Sequence, residues 1–315
     1  MAGDSVEQAV DILTVLLLSI SITGALLTFL TFALFSELRT YPMRLIMALC
    51  VCIFFGFLMF LISDAEAVAL SGFCKGAAAI IHFFFIANFC WTLCIAFNFF
   101  QLIVKRNREA QRFELYYHIF SWSIPSICCI CTGVTGSYGN VGGQVISGGS
   151  GDNFCYIIND IARFAAFFVP GLFIMAINTI LFFFIAREIR ETLVNAPKTD
   201  KQSKLKEYRV YMSIFISIGL SWFFGYLMFI IPSDNVASTV FLFLFTLTTP
   251  LQGFFLFIAY CCNFQALSRW LLLFGICMPP CYELGDDLRS SATNSAGRTY
   301  RTGGGTSTEG SSEMV

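Results

Sequence analysis

Charged residues are scarce in this chain of 315 residues: they make up 12% of it, whereas soluble domains carry about 25%. Hydrophobic residues account for 57% and aromatic residues for 17%. A water-soluble fold of this length has too little interior to hide that much apolar surface. The composition therefore excludes a soluble globular domain and predicts a chain that faces lipid over much of its surface.

Other absences narrow the function. His82 and His118 are the only histidines, and neither has a ligand partner at helical spacing, so we expect no metal site. Residues 208–261 contain no lysine, which excludes a retinal Schiff base in the last helix. Ionisable groups are almost missing from the interiors of the apolar stretches, which argues against a channel or proton-coupled transporter. The chain has no nucleophile–base pair and no phosphate-binding loop, so we expect no enzyme, no cofactor and no nucleic-acid partner.

Seven apolar stretches are long enough to cross a bilayer, for which about 20 residues suffice. Runs such as FLTFALF and ILFFFIA do not alternate as barrel strands would, so helices are expected. The predicted spans are residues 11–36, 42–63, 74–104, 116–134, 161–186, 208–231 and 237–261. The fold class is therefore all-α, a seven-transmembrane helix bundle with a short amphipathic surface helix after helix 7. Kinks are predicted at Pro125, Pro170 and Pro250.

Lysine and arginine are distributed asymmetrically. Of these 19 residues, 17 fall after helices 1, 3 and 5 or in the C-terminal segment, and only Lys75 and Arg163 fall on the opposite side. An excess of basic residues marks the cytosolic side. We therefore expect a multi-pass protein of the plasma membrane with its N-terminus outside and its C-terminus in the cytosol. The apolar run behind the N-terminus is too long for a cleaved signal peptide, so helix 1 should remain as an anchor.

This orientation divides the chain into four predicted parts. They are a short extracellular N-terminus at 1–10, the bundle at 11–261, the surface helix at 262–276 and a disordered cytoplasmic tail at 277–315. Cys74 and Cys155 both fall on the oxidising outer side, where a disulfide would pin the outer loop over the bundle; two free thiols are the alternative. Cys277 and Cys281 follow the surface helix and are either palmitoylated or ordinary reduced thiols.

Several motifs resemble known receptors. The segments WTLCIA (91–96), LIVKR (102–106) and RFELYYH (112–118), followed by Trp122 and Pro125, resemble the slime-mould cyclic-AMP receptors of the cAMP-receptor-like class. Three other segments look like the secretin and adhesion receptors: LRTYPMRL (38–45), GLSWFFGY (219–226) and LQGFFLFIAY (251–260). The resemblance implies a G-protein-coupled receptor that binds an extracellular ligand, a cyclic nucleotide or another small molecule, and activates a heterotrimeric G protein. A small multi-span transporter or channel is the alternative.

The resemblance to receptors with a phosphate-containing ligand makes Arg163 the main candidate for ligand contact. A guanidinium can hold a phosphate or carboxylate through two parallel hydrogen bonds. A salt bridge to Asp160, or contact with a lipid phosphate, is the alternative. Lys75 and His82 complete the candidate ligand-binding set, and the alternative for His82 is a packing role.

Basic residues on the predicted cytosolic side are candidate contacts for the G protein. The open alternative is that these charges set the topology and attract anionic membrane lipids. The candidates are Lys105, Arg106, Lys204, Lys206 and Arg209.

Overall fold

The computed structural model describes residues 2–63, 72–107, 109–141, 154–195, 222–227, 236–262 and 264–273. Within these residues the regular secondary structure is helical apart from one short hairpin. The α-helices are α1 (Ala2–Leu34), α2 (Tyr41–Ser63), α3 (Cys74–Phe99), α4 (Glu114–Val134), α5 (Asp160–Arg163), α6 (Val169–Asn195), α7 (Val236–Thr248), α8 (Gln252–Cys261) and α9 (Phe264–Leu273). Short 3-10 helices at Ser36–Leu38 and Ala110–Phe113 and π-helical turns at Phe100–Val104 and Phe164–Phe168 complete the helical elements.

Six of the predicted spans have a helical run of sufficient length and apolarity to cross a membrane. These runs are Ile12–Leu34, Tyr41–Ser63, Cys74–Val104, Ala110–Val134, Asp160–Thr192 and Phe243–Cys261. The predicted sixth span, 208–231, lies mostly outside the described residues, although 222–227 are helical. Large apolar side chains such as Leu115, Ile130 and Phe173 cover the outer surface, as a lipid-facing bundle requires.

The first helix begins earlier than the sequence predicts. Helical backbone starts at Ala2, although residues 1–10 were predicted to form only a short extracellular segment. A helix satisfies its backbone hydrogen bonds internally in water as well as in lipid, so it need not end at the membrane boundary. Helix α6 likewise continues to Asn195, beyond the predicted end of the fifth span at residue 186. After residue 263, α9 belongs to a separate compact unit and falls within the predicted surface helix at 262–276.

The three prolines have different local effects. Pro125 lies inside the continuous helix α4, whereas Pro250 lies in the non-helical junction that separates α7 from α8. Pro170 is the second residue of α6 and follows the π-helical turn Phe164–Phe168 after Val169. Proline has no N–H group, so it leaves the carbonyl four residues earlier without its helical donor. For Pro170 that carbonyl belongs to Ala166.

Helices α1 and α8 approach each other at two glycines. A Cβ atom placed on Gly24 would lie 2.7 Å from the carbonyl oxygen of Gly253, so the backbones are nearly in contact. The Gly253 N–H donates a hydrogen bond of 2.8 Å to the Ser21 hydroxyl on α1. Small residues at a helix crossing allow this close packing in membranes.

A two-stranded antiparallel hairpin caps one end of the bundle. Strand β1 (Tyr138–Asn140) pairs with β2 (Cys155–Ile157), with Asn140 opposite Cys155. Gly136, in the turn before β1, adopts φ of 64°, a conformation that glycine reaches without steric cost. Cys155 is disulfide-bonded to Cys74 at the start of α3, with their Cα atoms 5.2 Å apart. The predicted disulfide is confirmed, and it holds the hairpin against the bundle.

Candidate ligand-binding cavity

A cavity opens at the end of the bundle that carries the disulfide. The empty space between its walls is about 690 Å³, a figure that includes the part open to solvent. Phe154 and Tyr156, which flank Cys155, form part of its wall. The rest comes from α1, α2, α3, the π-helical turn Phe164–Phe168, Trp222, the end of α7 and the junction that follows α7.

Aromatic rings form most of the wall. Phe60 and Phe154 have ring centroids 4.9 Å apart, and Trp222 lies 5.5 Å from Phe245 and 5.8 Å from Phe167. None of the described lining residues is charged. The full apolar part of the wall consists of Leu18, Phe57, Phe60, Phe85, Phe154, Phe167, Phe245 and Pro250.

Four lining residues carry a buried polar atom that has no hydrogen-bond partner among the described residues. These atoms are the hydroxyls of Thr246, Thr249 and Tyr156 and the indole N–H of Trp222. The four residues are 4%, 7%, 5% and 6% exposed, respectively. Buried polar atoms are almost always hydrogen-bonded in native proteins, so these four atoms are unused hydrogen-bonding groups in residues that line the cavity.

The cavity also touches the break in the last span. Thr249 and Pro250 line it and belong to the junction between α7 and α8. At the start of α8, the Gln252 side-chain carbonyl accepts a hydrogen bond of 3.3 Å from the Asn88 amide on α3. Anything bound in the cavity is therefore in contact with the segment that links α3, α7 and α8.

His82 lies outside the cavity wall and is fully buried. Its Nε2 lies 3.1 Å from the carbonyl oxygen of Ala166, and its Nδ1 lies 2.7 Å from the Tyr138 hydroxyl. A carbonyl can only accept, so Nε2 carries the proton and Nδ1 accepts from Tyr138. Burial raises the pKa of the Tyr138 phenol, which keeps this donor protonated. His82 thus supplies the donor that Pro170 removes, and it joins α3, the hairpin and the fifth span.

Arg163 and Lys75 also lie outside the described wall. Arg163 forms an ion pair with Asp160 one helical turn earlier and hydrogen-bonds the Ile157 carbonyl at 3.5 Å. Burial raises the pKa of Tyr156, and the Arg163 guanidinium partly offsets that rise. Lys75 is exposed at the start of α3. The structure does not bring Arg163, Lys75 and His82 together around one space, and their roles in ligand binding stay predictions.

The sequence matches the family model described as 7 transmembrane receptor (Secretin family) over residues 7–256. The chain belongs to this receptor family. The receptor is 41% identical over 270 residues to latrophilin receptor-like protein A of Dictyostelium discoideum, covering 86% of this chain and 84% of that protein. It is 28% identical over 258 residues to cyclic AMP receptor 4 of the same organism, covering 79% and 56%. It is 25% identical over 242 residues to human adhesion G-protein coupled receptor G2, covering 74% and 23%.

Both resemblances read from the motifs, to the cAMP receptors and to the secretin and adhesion receptors, are therefore confirmed. The receptor spans most of the first relative's length but only about a quarter of the human adhesion receptor. These relatives are G-protein-coupled receptors and not enzymes, so the receptor assignment holds over the transporter or channel alternative. The family couples an extracellular ligand to a G protein, and none of the similarities specifies that ligand.

At the opposite end of α3 the receptor presents two of the predicted G-protein contacts. Lys105 is exposed, with its Nζ 5.8 Å from the centroid of the Phe100 ring. Arg106 has φ of 52° and reaches Glu188 on α6 at 3.3 Å, with its side chain 80% exposed. Such an exposed pair contributes about 0–1 kcal/mol, so it does not hold the two helices together by itself. Lys204, Lys206, Arg209, Cys277 and Cys281 lie outside the described residues.

The cavity residues were not predicted from the sequence. Phenylalanine is so frequent in this receptor, at 37 residues, that the lining rings carry no distinctive signal. A signal was available in the last span, where a cluster of hydroxyl side chains that includes Thr246 and Thr249 precedes Pro250. Hydroxyls next to a helix break inside a membrane need partners, and that pattern is typical of a functional cavity.

Proposed function

We propose that this receptor lies in the plasma membrane with its N-terminus outside, binds a small extracellular molecule in the cavity and activates a heterotrimeric G protein at its cytosolic end. The observation that carries the proposal is the cavity itself. It lies at the disulfide-bearing end of the bundle, and four of the residues that line it carry buried polar atoms without partners among the described residues. A bound molecule would supply those partners.

Two independent features support this orientation. A disulfide persists in an oxidising compartment, which favours the extracellular side for Cys74 and Cys155. The 17 basic residues of the opposite side favour the cytosol for the other end. With about 1.5 Å of rise per residue, the 31-residue run Cys74–Val104 is about 46 Å long, enough to cross the membrane between them.

A ligand in the cavity can act on the bundle through the last span. It would touch Thr249 and Pro250, where the regular helix is already interrupted and bending costs less than in an unbroken helix. From there the Asn88–Gln252 hydrogen bond leads to α3. A ligand that fits one bend better than another would shift the population toward that arrangement by its difference in affinity.

The G-protein contact is proposed for the basic cytosolic surface. Lys105 and Arg106 lie there at the end of α3, and Lys204, Lys206 and Arg209 follow α6 in the sequence. Their charges suit an acidic protein surface or the anionic lipids of the inner leaflet, and both contacts can coexist. Palmitoylation of Cys277 and Cys281 would add a lipid anchor on the cytosolic side of the membrane.

Ligand-dependent G-protein dissociation in cells expressing the full chain tests this function. A compound library that includes cyclic nucleotides should yield an agonist, and Leu18→Trp, which fills the cavity, should abolish its effect at normal surface expression. Leu272→Trp, an exposed leucine on α9 and outside the cavity, is the matched control and should leave the response unchanged. An agonist whose potency is unaffected by filling the cavity would refute the proposed site.

The proposed topology has its own test. A C-terminal epitope tag should bind antibody only after the cells are permeabilised, because the C-terminus is proposed to be cytosolic. An N-terminal tag on the same receptor is the control and should be labelled on intact cells. Labelling of the C-terminal tag without permeabilisation would overturn the orientation.

A further inference from the structure

The chemistry of the cavity wall restricts the class of molecule that can occupy it. We infer that the cavity takes a neutral, largely aromatic or alicyclic molecule that presents one or two hydrogen-bonding groups, at least one of them an acceptor. The inference rests on the proposed role of the cavity as the ligand site, and it goes beyond that role by naming the ligand class.

An anionic ligand would lack a counter-ion in this wall. None of the described lining residues is basic. Arg163, whose charge reaches Tyr156, is already paired with Asp160. A charge moved from water into an apolar site is costly unless a partner of opposite sign meets it there. A cyclic phosphate is therefore a poor match to the described wall.

A cationic ligand fails on a different ground. The aromatic rings could attract an ammonium group, but Trp222 has only an N–H donor to offer, and an ammonium has no acceptor. Binding would leave the buried Trp222 N–H unpaired, and the described wall has no carboxylate to balance the charge. A hydroxyl or carbonyl oxygen on a neutral ligand can instead accept from Trp222.

The three unpaired hydroxyls also suit a hydroxyl or carbonyl group on a neutral ligand. The hydroxyls of Thr246, Thr249 and Tyr156 can each donate or accept. Thr246 and Thr249 are three residues apart around the end of α7, and both border the cavity, so one ligand oxygen or two neighbouring ones can serve them. The phenylalanine rings would cover the apolar body of the ligand.

Three probes with the same indole body separate the charge classes. Tryptophol is neutral and carries one hydroxyl, tryptamine is cationic, and indole-3-acetate is anionic. Saturation-transfer NMR on the full-length receptor in lipid nanodiscs, with empty nanodiscs subtracted to remove partitioning into lipid, gives an apparent Kd for each. We expect tryptophol to bind about tenfold more tightly than either charged analogue, because only the neutral probe avoids an uncompensated charge.

Two variants locate the binding in this cavity. Thr249→Val removes one hydroxyl while keeping the side-chain shape, and it should weaken tryptophol binding about three- to tenfold. Thr248→Val is the matched control, since the Thr248 hydroxyl already donates to the Leu244 carbonyl at 2.7 Å and Thr248 does not line the cavity. Leu18→Trp should abolish binding of tryptophol by occupying the space. If Leu18→Trp does not reach the membrane, the comparison of Thr249→Val with Thr248→Val decides the outcome.

The result that overturns the inference is an equal or tighter affinity for a charged probe, tryptophol binding that neither cavity variant changes, or no binding of any probe up to its solubility limit. Failure here differs from failure of the proposed function. Suppose that an anionic agonist causes G-protein dissociation and that Leu18→Trp abolishes this effect. The proposed ligand class would then be wrong, while the proposed receptor function would stand. Selective tryptophol binding together with no G-protein response to any ligand would support the ligand class and contradict the proposed receptor function.

Discussion

The hydrogen bonds of His82 should stabilise the fold by joining three elements. Tyr138→Phe removes only the hydroxyl that donates to His82 Nδ1 at 2.7 Å. Hydrogen bonds between membrane helices contribute about 0.6–1.7 kcal/mol each, so we expect Tyr138→Phe to lower the free energy of unfolding by about 1 kcal/mol. His82→Phe also strands the Ala166 carbonyl and leaves the Tyr138 hydroxyl only its 3.5 Å bond to the Cys129 carbonyl, and it should cost about 2–4 kcal/mol.

The hydrogen bonds made by the two imidazole nitrogens of His82 can be tested separately with an amide side chain. Glutamine places its amide nitrogen near the position of Nε2, so His82→Gln should retain the bond to Ala166 and lose the one to Tyr138. Tyr138→Phe should then add little to His82→Gln in a double-mutant cycle, because both changes remove the same bond. The apparent melting temperature of the purified receptor is the measurement, with a shift of about 2–4 °C per kcal/mol.

Tyr116→Phe is the matched control, since Tyr116 is 66% exposed on α4. It should change stability by less than about 0.5 kcal/mol. The reasoning would be refuted if Tyr138→Phe were as neutral as the control, or if the losses in the double mutant were simply additive. If His82→Gln kept wild-type stability but reduced agonist potency, the result would instead support the predicted role of His82 in ligand contact.

Three further outcomes are expected. Changing Cys74 or Cys155 to Ser should reduce surface expression through the loss of about 3–5 kcal/mol, and the double change should be no worse than either alone; free thiols in peptide mapping would contradict this. Gly24→Ala should cost about 1–3 kcal/mol in thermal stability because its Cβ would lie 2.7 Å from the facing carbonyl, whereas Gly76→Ala has no atom closer than 3.9 Å and should be neutral. Arg163→Lys should keep agonist potency if the arginine serves its neighbouring carboxylate, and both Arg163→Lys and Arg163→Ala should lose it if the guanidinium holds the ligand.

The spans could be predicted because length and apolarity are properties of single stretches. The third span is the clearest case: the predicted 74–104 coincides with Cys74–Val104. The start of α1 could not be predicted in the same way, since hydropathy marks where lipid ends and not where a helix ends. The disulfide was predictable because topology left only two cysteines, Cys74 and Cys155, in an oxidising compartment.

The candidate site was harder to predict because it depends on which faces of distant helices meet. A phenylalanine that lines the cavity, such as Phe57, does not differ in sequence context from Phe55, which is 43% exposed on the same helix. Arg163 drew attention as a rare charge, yet its nearest partner was three residues away in the sequence. Rare residues are easy to find, but a cavity built from common residues becomes visible only when the helices are assembled.

The contact between α1 and α8 has a consequence for how movement in this receptor can be measured. Because the Gly253 N–H depends on Ser21 and the two backbones touch at Gly24, α8 cannot slide or rotate without either carrying α1 along or losing that bond. These two helices therefore form an internal reference frame. A pair of spin labels on their outer faces should report one constant distance with and without ligand, against which displacements of α3 or α6 can be calibrated.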